Sequence, residues 1–388
     1  MYRRIIIYVV AAAAVLSCVK IEQEDIPALR ISFDDPVVGS LTKADANHTG
    51  EIEGKYPVAE HFSVFARHHT GDYQAWDTPG NVNYMTDVET GYFDEVQGWD
   101  PDACGDPYFW PNGGKLTFAG YSPAAARSDA SDLTYGTEGL VITDFTVDCK
   151  NTLAAQPDVT YYDLMYSERT YNKTASTGGI SYKGVNLKFH HALSSVAFKV
   201  KLKEEINSVA DDGQTLNSII LNRISIRQAY KTATFKENIT DGPSYQAAPR
   251  WTGHKDEMDL ETEYYSTYED MTNGFHVEEV SNAVEPAGSN HVLLIPQPFD
   301  HGDNEVIIRV NYTVTVNNKT TRQIVDVPLM TSNEGLPFKD QDGNSIEAWQ
   351  IGKRYVYTLE FGLYKIYFAP SVEVWNDVEV PGNTNVGN

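Results

Sequence analysis

The sequence predicts an all-β protein of antiparallel, sandwich-like sheets. Three observations lead there. Aromatic residues are abundant, with 24 Tyr, 15 Phe and 6 Trp, and the chain is punctuated by 28 Gly and 18 Pro. Many short runs alternate apolar and polar residues with period two, and few segments carry a long helical period. β-branched and aromatic residues suit a half-buried pleated surface, and Gly and Pro mark its turns.

The first element is an export signal. Arg3 and Arg4 form a positive region, and Ile5 to Leu16 form an apolar one of the length of a secretory signal. It is too short to span a bilayer as a helix, which takes about 20 apolar residues. The ending Val15-Leu16-Ser17-Cys18 resembles a bacterial lipobox, which makes residues 1–17 a lipoprotein signal peptide and Cys18 the lipidated residue. The alternative is an ordinary cleaved signal with an incidental cysteine. Stable anchoring at Cys18 takes two or more acyl chains.

Residues 18–55 read as an acidic, loosely patterned linker containing one first strand, with Leu29, Ile31 and Phe33 on one face. Further strands follow at Phe62/Val64/Ala66, Leu116/Phe118/Gly120 and Val196/Phe198/Val200/Leu202. A long one runs from Val306 through Ile308, Val310, Tyr312 and Val314 to Val316, and turns at Asn317-Asn318 into Gln323 to Val327. Tyr355/Tyr357/Leu359/Phe361 and Ile366/Phe368/Val372/Val374 close the pattern. The chain's 388 residues exceed one ordinary core and suggest two domains. The small, polar stretch Thr170 to Gly184 marks the boundary, giving domains at 56–180 and 181–388.

The formal charge of −24 argues against nucleic acid and anionic lipid surfaces as partners, since both require basic patches. Cys104 and Cys149 either pair in an oxidising exported setting or remain free thiols, because spacing does not reveal connectivity. Metalloprotease, nucleophile-elbow, P-loop and dinucleotide fingerprints are all missing. His68-His69 and His190-His191 are adjacent pairs whose members point to opposite faces of a strand, which suits surface or loop histidines better than a chelating pair. Asp340-Gln-Asp-Gly-Asn344 and Asp300 to Glu305 offer oxygen ligands around a Gly, as calcium loops do, but they lack the EF-hand spacing and are ordinary turn formers. Tyr161-Tyr162, Tyr264-Tyr265 and Trp251 suit either a sugar platform or core packing. No active site and no cofactor site emerge. The chain reads as an assembly or binding protein and not as an enzyme.

Several stretches fall in a recognisable order. They are Phe62-Ser-Val-Phe-Ala66, Tyr108-Phe-Trp-Pro111, Lys115-Leu-Thr-Phe-Ala-Gly-Tyr-Ser-Pro123 and Asp163-Leu-Met-Tyr-Ser167. Leu187-Lys-Phe-His-His-Ala-Leu193 running into Ser195-Val-Ala-Phe-Lys-Val200, Leu293-Leu-Ile-Pro-Gln-Pro298, Trp349-Gln-Ile-Gly-Lys-Arg-Tyr355 and Val372-Glu-Val-Trp375 complete the set. In this order, after a lipobox, the chain resembles the fimbrillin family, the subunits of type V pili.

The resemblance implies two tandem transthyretin-like β-sandwich domains. It implies an outer-membrane lipoprotein that reaches a cell-surface fimbrium, with other pilus subunits as partners and a host or bacterial surface ligand for an adhesive one. It also implies that an Arg- or Lys-specific protease removes the lipidated leader with its first strand. A strand from the next subunit then fills the open groove by β-augmentation. Mapped onto this chain, Leu29, Ile31 and Phe33 are the inward residues of the removable strand. Cleavage after Lys43 releases it whole, whereas cleavage after Arg30 cuts through it. The chain departs from a stalk subunit at its end, where Val378 and Val380 precede the polar, breaker-rich Pro381 to Asn388, a poor donor strand. A tip, accessory or anchor role therefore stands beside a stalk role. A surface lipoprotein that binds glycans without polymerising is the competing expectation.

Overall fold

The computed structural model describes residues 29–38, 56–94, 98–147, 163–175, 184–203, 216–240, 242, 244–257, 262–266, 274–286, 291–302, 304–330, 337–362 and 365–374. The regular structure of the described chain is almost all strand. The first half supplies Val37–Val38 (β1), Phe62–His69 (β2), Val82–Phe93 (β3), Gly98–Asp100 (β4) and Lys115–Ser122 (β5). Asp132–Gly136 (β6), Gly139–Thr146 (β7), Met165–Ser167 (β8), Thr170–Lys173 (β9) and Lys188–His191 (β10) follow. The second half contributes Ser194–Leu202 (β11), Leu216–Arg227 (β12), Tyr230–Lys236 (β13), Arg250–Glu257 (β14), Thr262–Ser266 (β15) and Phe275–His276 (β16). Val292–Leu294 (β17), Ile307–Val316 (β18), Lys319–Pro328 (β19), Lys353–Phe361 (β20) and Ile366–Val374 (β21) complete it. Two short 3-10 helices, Pro101–Cys104 and Ala124–Asp129, lie between strands of the first half.

These strands form four sheets. The first runs β1-β10-β8-β5-β2-β3-β4, with β9 also on β5. The second runs β14-β13-β7-β6, the third β17-β11-β20-β21, and the fourth β15-β12-β18-β19 with β16 on β12. Most pairs are antiparallel, as the turn-rich sequence leads one to expect, but β1–β10 and β11–β20 are parallel. Two sheets join strands from either side of residue 180. β10 completes the first sheet, and β13 pairs with β7 in the second, with Ala233 opposite Phe145.

Period two is visible in the burial. Val306, Ile308 and Val310 are all 0% exposed, and Tyr312 and Val314 continue their row. The hairpin between β18 and β19 turns on Asn317 and Asn318 at φ 47° and 63°, the double positive φ of a tight primed turn that Asn tolerates. β2 is buried on both faces. Phe62, Val64 and Ala66 enter a smaller core with Leu116, Phe118, Trp99 and Phe189. Phe65, between them, enters a larger core that continues through Tyr121, Ile142, Phe235 and Trp251 into Phe198, Val310 and Tyr357 of the second half. Trp251 belongs to this core, with its indole N–H donating to Ala192 O at 2.7 Å, which settles it as packing. The side chains of Tyr264 and Tyr265 lie outside the described residues, as do Tyr161 and Tyr162.

Two of the four paired histidines differ from the surface reading. His69 and His191 are buried at 3% and 4% exposure. His69 Nδ1–H donates to Gly71 O at 2.8 Å and Nε2 accepts from Thr117 Oγ1 at 3.0 Å, a neutral ring that burial keeps hard to protonate. His191 Nδ1 lies 3.0 Å from Asp163 Oδ1, both side chains being buried. Adjacent strand residues do point to opposite faces, but in a sheet with both faces covered each face is interior. The Asp340 carboxylate is satisfied by its own turn, accepting from the N–H groups of Asp342 and Asn344 at 2.9 and 2.8 Å. Asp300 Oδ1 accepts from Gly302 N–H at 2.8 Å in the same manner. No helix among the described residues is long and apolar enough to cross a membrane.

Candidate functional site at the leading segment

Residues 29–38 are held from two sides, because they bond to both ends of the first sheet. On one side they run antiparallel to residues 99–110. Ile31 N–H donates to Tyr108 O at 2.8 Å, Phe33 N–H to Trp99 O at 2.7 Å, Trp99 N–H to Phe33 O at 3.2 Å and Trp110 N–H to Leu29 O at 2.8 Å. On the other side they run parallel to residues 185–189. Val185 N–H donates to Ser32 O at 2.8 Å, Asp34 N–H to Val185 O at 3.1 Å and Val37 N–H to Leu187 O at 3.1 Å. The segment therefore bridges β4 at one end of the sheet order and β10 at the other.

The side chains deepen this hold. Ile31 and Phe33 are 0% exposed. The Phe33 ring meets Phe62 and Phe118 edge-on, each with centroids 5.7 Å apart at 90°. After Phe33 the inward row slips by one residue at Asp34-Asp35, where Asp35 N–H donates to Asp34 Oδ1, and it resumes at Pro36 and Val38. Leu29 corrects the sequence reading. It shares the parity of Ile31 and Phe33 but is 58% exposed, since the row runs past the rim of the core there. Gly184 stands at φ 132°, and a Cβ on it would lie 2.4 Å from the Phe33 carbonyl carbon, so only a bare backbone lets the segment lie this close.

Arg30, one of the two candidate cleavage residues, is engaged within the segment. Its guanidinium pairs with Asp100 at 3.0 Å and Asp102 at 2.6 Å and sits over the Phe93 ring at 5.3 Å. Lys43 and Cys18 lie outside the described residues. Cys104 is half-buried with a free thiol, and Cys149 lies outside the described residues, so their pairing remains an expectation.

Apart from Leu29, Ile31 and Phe33, the sequence reading did not single out the residues that line the groove: Tyr56, Trp99, Val185, Leu187 and Phe189. Tyr56 is 1% exposed, packs against Trp99 with centroids 5.0 Å apart and shares a 2.7 Å hydrogen bond between its hydroxyl and Ser122 Oγ. Leu187 and Phe189 stood in the quoted Leu187 to Leu193 run, but nothing local shows that this run pairs with a segment some 150 residues earlier.

The site is a groove between residues 99–110 and 185–189 that residues 29–38 fill. The seven backbone hydrogen bonds of the segment contribute about 1 kcal/mol each. Burial of Ile31 and Phe33 adds about 2–3 kcal/mol apiece. Together they reach on the order of 10 kcal/mol, comparable with the whole stability of about 5–15 kcal/mol of an ordinary domain. An emptied groove also exposes two unpaired strand edges.

A cavity of about 490 Å³ opens elsewhere, between β3, β6 and the second 3-10 helix, lined by Trp76, Asp87, Arg127 and Tyr135 among others. Asp87 already accepts from Tyr121 OH at 2.6 Å and Arg127 Nη1 at 2.7 Å. Trp76 is 3% exposed and packs edge-on against Tyr135, centroids 4.6 Å apart, so it offers a sugar no open ring face.

Comparison with known proteins agrees with this architecture. The profile described as fimbrillin-like matches residues 52–375. No curated protein matches the sequence. The crystal structure of a fimbrial protein from Bacteroides vulgatus is similar in fold at 17% identity and a TM-score of 0.52, with 89% of this chain and 99% of that one covered. The tip fimbrial protein Mfa3 of Porphyromonas gingivalis, truncated at its C-terminus, aligns at 10% identity and a TM-score of 0.37 over 81% of this chain and 94% of that one.

Proposed function

This chain belongs to the fimbrillin-like family, and on that premise we propose that it is a structural or adhesive subunit of a cell-surface pilus, assembled by strand exchange at the groove that residues 29–38 now fill. The observation that carries the reading is the two-sided hold on that segment. A segment bonded on both edges and buried through Ile31 and Phe33 is what a subunit needs if it must stay closed until a partner strand arrives. In this reading the precursor is exported as a lipoprotein through Cys18 and reaches the outer membrane. A trypsin-like protease then removes the leader after Lys43. Cleavage after Arg30 is disfavoured, because the bond that follows leads into the paired Ile31 N–H and the Arg30 side chain is held by Asp100 and Asp102. The two halves are tandem transthyretin-like sandwiches, the partners are other pilus subunits, and the role is non-enzymatic.

The test is limited digestion of the purified precursor by an Arg/Lys-specific protease. N-terminal sequencing should read Ala44, and the trimmed chain should form dimers or ladders on a native gel. A trimmed chain that stays a stable monomer and binds a glycan would overturn the pilus reading in favour of a non-polymerising surface lipoprotein.

A further inference from the structure

Away from the groove floor, three side chains with metal-binding atoms converge. His61 immediately precedes β2. Phe62 pairs with Thr90 and Ser63 with Glu89, which places His61 opposite Gly91 and leaves Glu89 on the same face. The imidazole lies across Gly91, where a Cβ would come 2.9 Å from His61 Nε2, so a glycine makes the room the ring occupies. Cys104 arrives from the end of the 3-10 helix Pro101–Cys104. That turn is fixed by Asp100, whose carboxylate accepts from Asp102 N–H at 2.8 Å, and by Gly105 at φ 85°. His61 Nδ1 then stands 2.5 Å from Glu89 Oε1 and 3.8 Å from Cys104 Sγ. One ligand atom from each of the three lies within 4.8 Å of the others.

We propose that His61, Glu89 and Cys104 form a binding site for a borderline-soft divalent cation of the zinc type, with a fourth position open to water. Zinc takes imidazole nitrogen at about 2.0–2.1 Å, thiolate sulfur at about 2.3 Å and carboxylate oxygen at about 2.0–2.2 Å, in a tetrahedron. Those lengths set nitrogen and sulfur about 3.5 Å apart, close to the His61–Cys104 spacing already present. Glu89 Oε1 is too near the imidazole for two ligands of one ion, but its side chain is 54% exposed and free to rotate away. The nitrogen–sulfur–oxygen set selects against calcium and magnesium, which prefer all-oxygen shells.

Binding displaces one proton: the thiol gives up its S–H proton to solvent as the sulfur–metal bond forms. A bound cation stabilises the Cys104 sulfur as its thiolate. The site is also linked to the groove. The turn that carries Cys104 supplies Asp100 and Asp102 to Arg30, so a cation would tie the turn that grips the leading segment back onto β2 and β3.

The experiment is titration of the full chain with Co²⁺, without thiol reductant, followed by competition with Zn²⁺. One equivalent should raise a near-ultraviolet thiolate-to-cobalt band that Zn²⁺ abolishes. The band should vanish in Cys104→Ser and persist in Cys149→Ser. Glu89→Gln alters only an exposed side chain and so tests the site without threatening the fold. It should weaken Zn²⁺ by more than roughly tenfold, the loss typical of even an outer-shell partner. Absence of the band, its survival in Cys104→Ser, an unchanged affinity in Glu89→Gln, or a Cys104–Cys149 disulfide that leaves no thiolate would each overturn the proposal.

Discussion

Phe33 and Leu29 sit four residues apart on one alternating row, yet their surroundings assign them opposite weights. Phe33 is enclosed by Phe62 and Phe118, whereas Leu29 projects past the rim. Phe33→Ala should therefore cost about 3–5 kcal/mol, the range for truncating a buried aromatic. Leu29→Ala should stay within about 0.5 kcal/mol, as surface substitutions do. Chemical denaturation of the two variants decides it, and equal losses would contradict the placement of the row. Alternation is readable from sequence because side chains on a strand switch faces at every residue. Where the core ends is not, since that depends on what covers the row. The slip at Asp34-Asp35 was equally hidden: the buried row passes there from Ile31 and Phe33 to Pro36 and Val38.

At the scale of the element, the leading segment is a strand whose partners are remote in sequence, about 70 residues away on one side and 150 on the other. The sequence showed that a strand begins near Leu29 but not what it pairs with, because no local pattern encodes a pairing at that range. Its bonds predict the effect of deletion. A chain beginning at Ala44 should lose on the order of 10 kcal/mol from the first half, enough to unfold that half at room temperature. A synthetic peptide of residues 29–38 added in trans should restore it, while the same peptide carrying Phe33→Asp should not, because an unpaired carboxylate would enter the core. Tryptophan fluorescence reads the recovery, Trp99 being the aromatic whose backbone pairs with Phe33. The end strand of the third sheet is treated differently. Among the described strands β21 ends its sheet, and the Gln341 amide accepts from Val372 N–H at 3.0 Å and donates to Val372 O at 2.8 Å, which caps that stretch of edge as a neighbouring strand would. Gln341→Ala should leave stability within about 1 kcal/mol of the parent but increase concentration-dependent association, measured by sedimentation.

Across the whole molecule the two halves meet through shared sheets, and at their seam lies a buried acid. Length alone suggested two units, and the polar stretch near residue 180 suggested where they part. The pairing of β7 with β13, about 90 residues apart, was out of reach of any local signal. Glu237, just past β13, is 0% exposed. Its Oε2 accepts from Leu140 N–H at 2.7 Å and its Oε1 from Tyr245 OH at 2.9 Å, so it fastens the start of β7 to the second half. Burial, opposed by these two hydrogen bonds and by the charge of Arg169, pushes its carboxyl up from 4.5 to about 7. An acid whose pKa is higher folded than unfolded binds more protons in the native state throughout the interval between the two values. Stability is then highest below pH 4.5 as far as this group is concerned, falls as pH rises from 4.5 to about 7, and stays at its reduced level above that. The loss is on the order of 3 kcal/mol, from about 1.4 kcal/mol per pKa unit. Denaturation midpoints of the parent should therefore drop between pH 5 and pH 8. Glu237→Gln, which keeps a side-chain oxygen for Leu140 N–H but cannot ionise, should lose most of that drop and be the more stable of the two at pH 8. An identical pH dependence in both proteins would mean that Glu237 does not carry the ionisation cost of closing the seam.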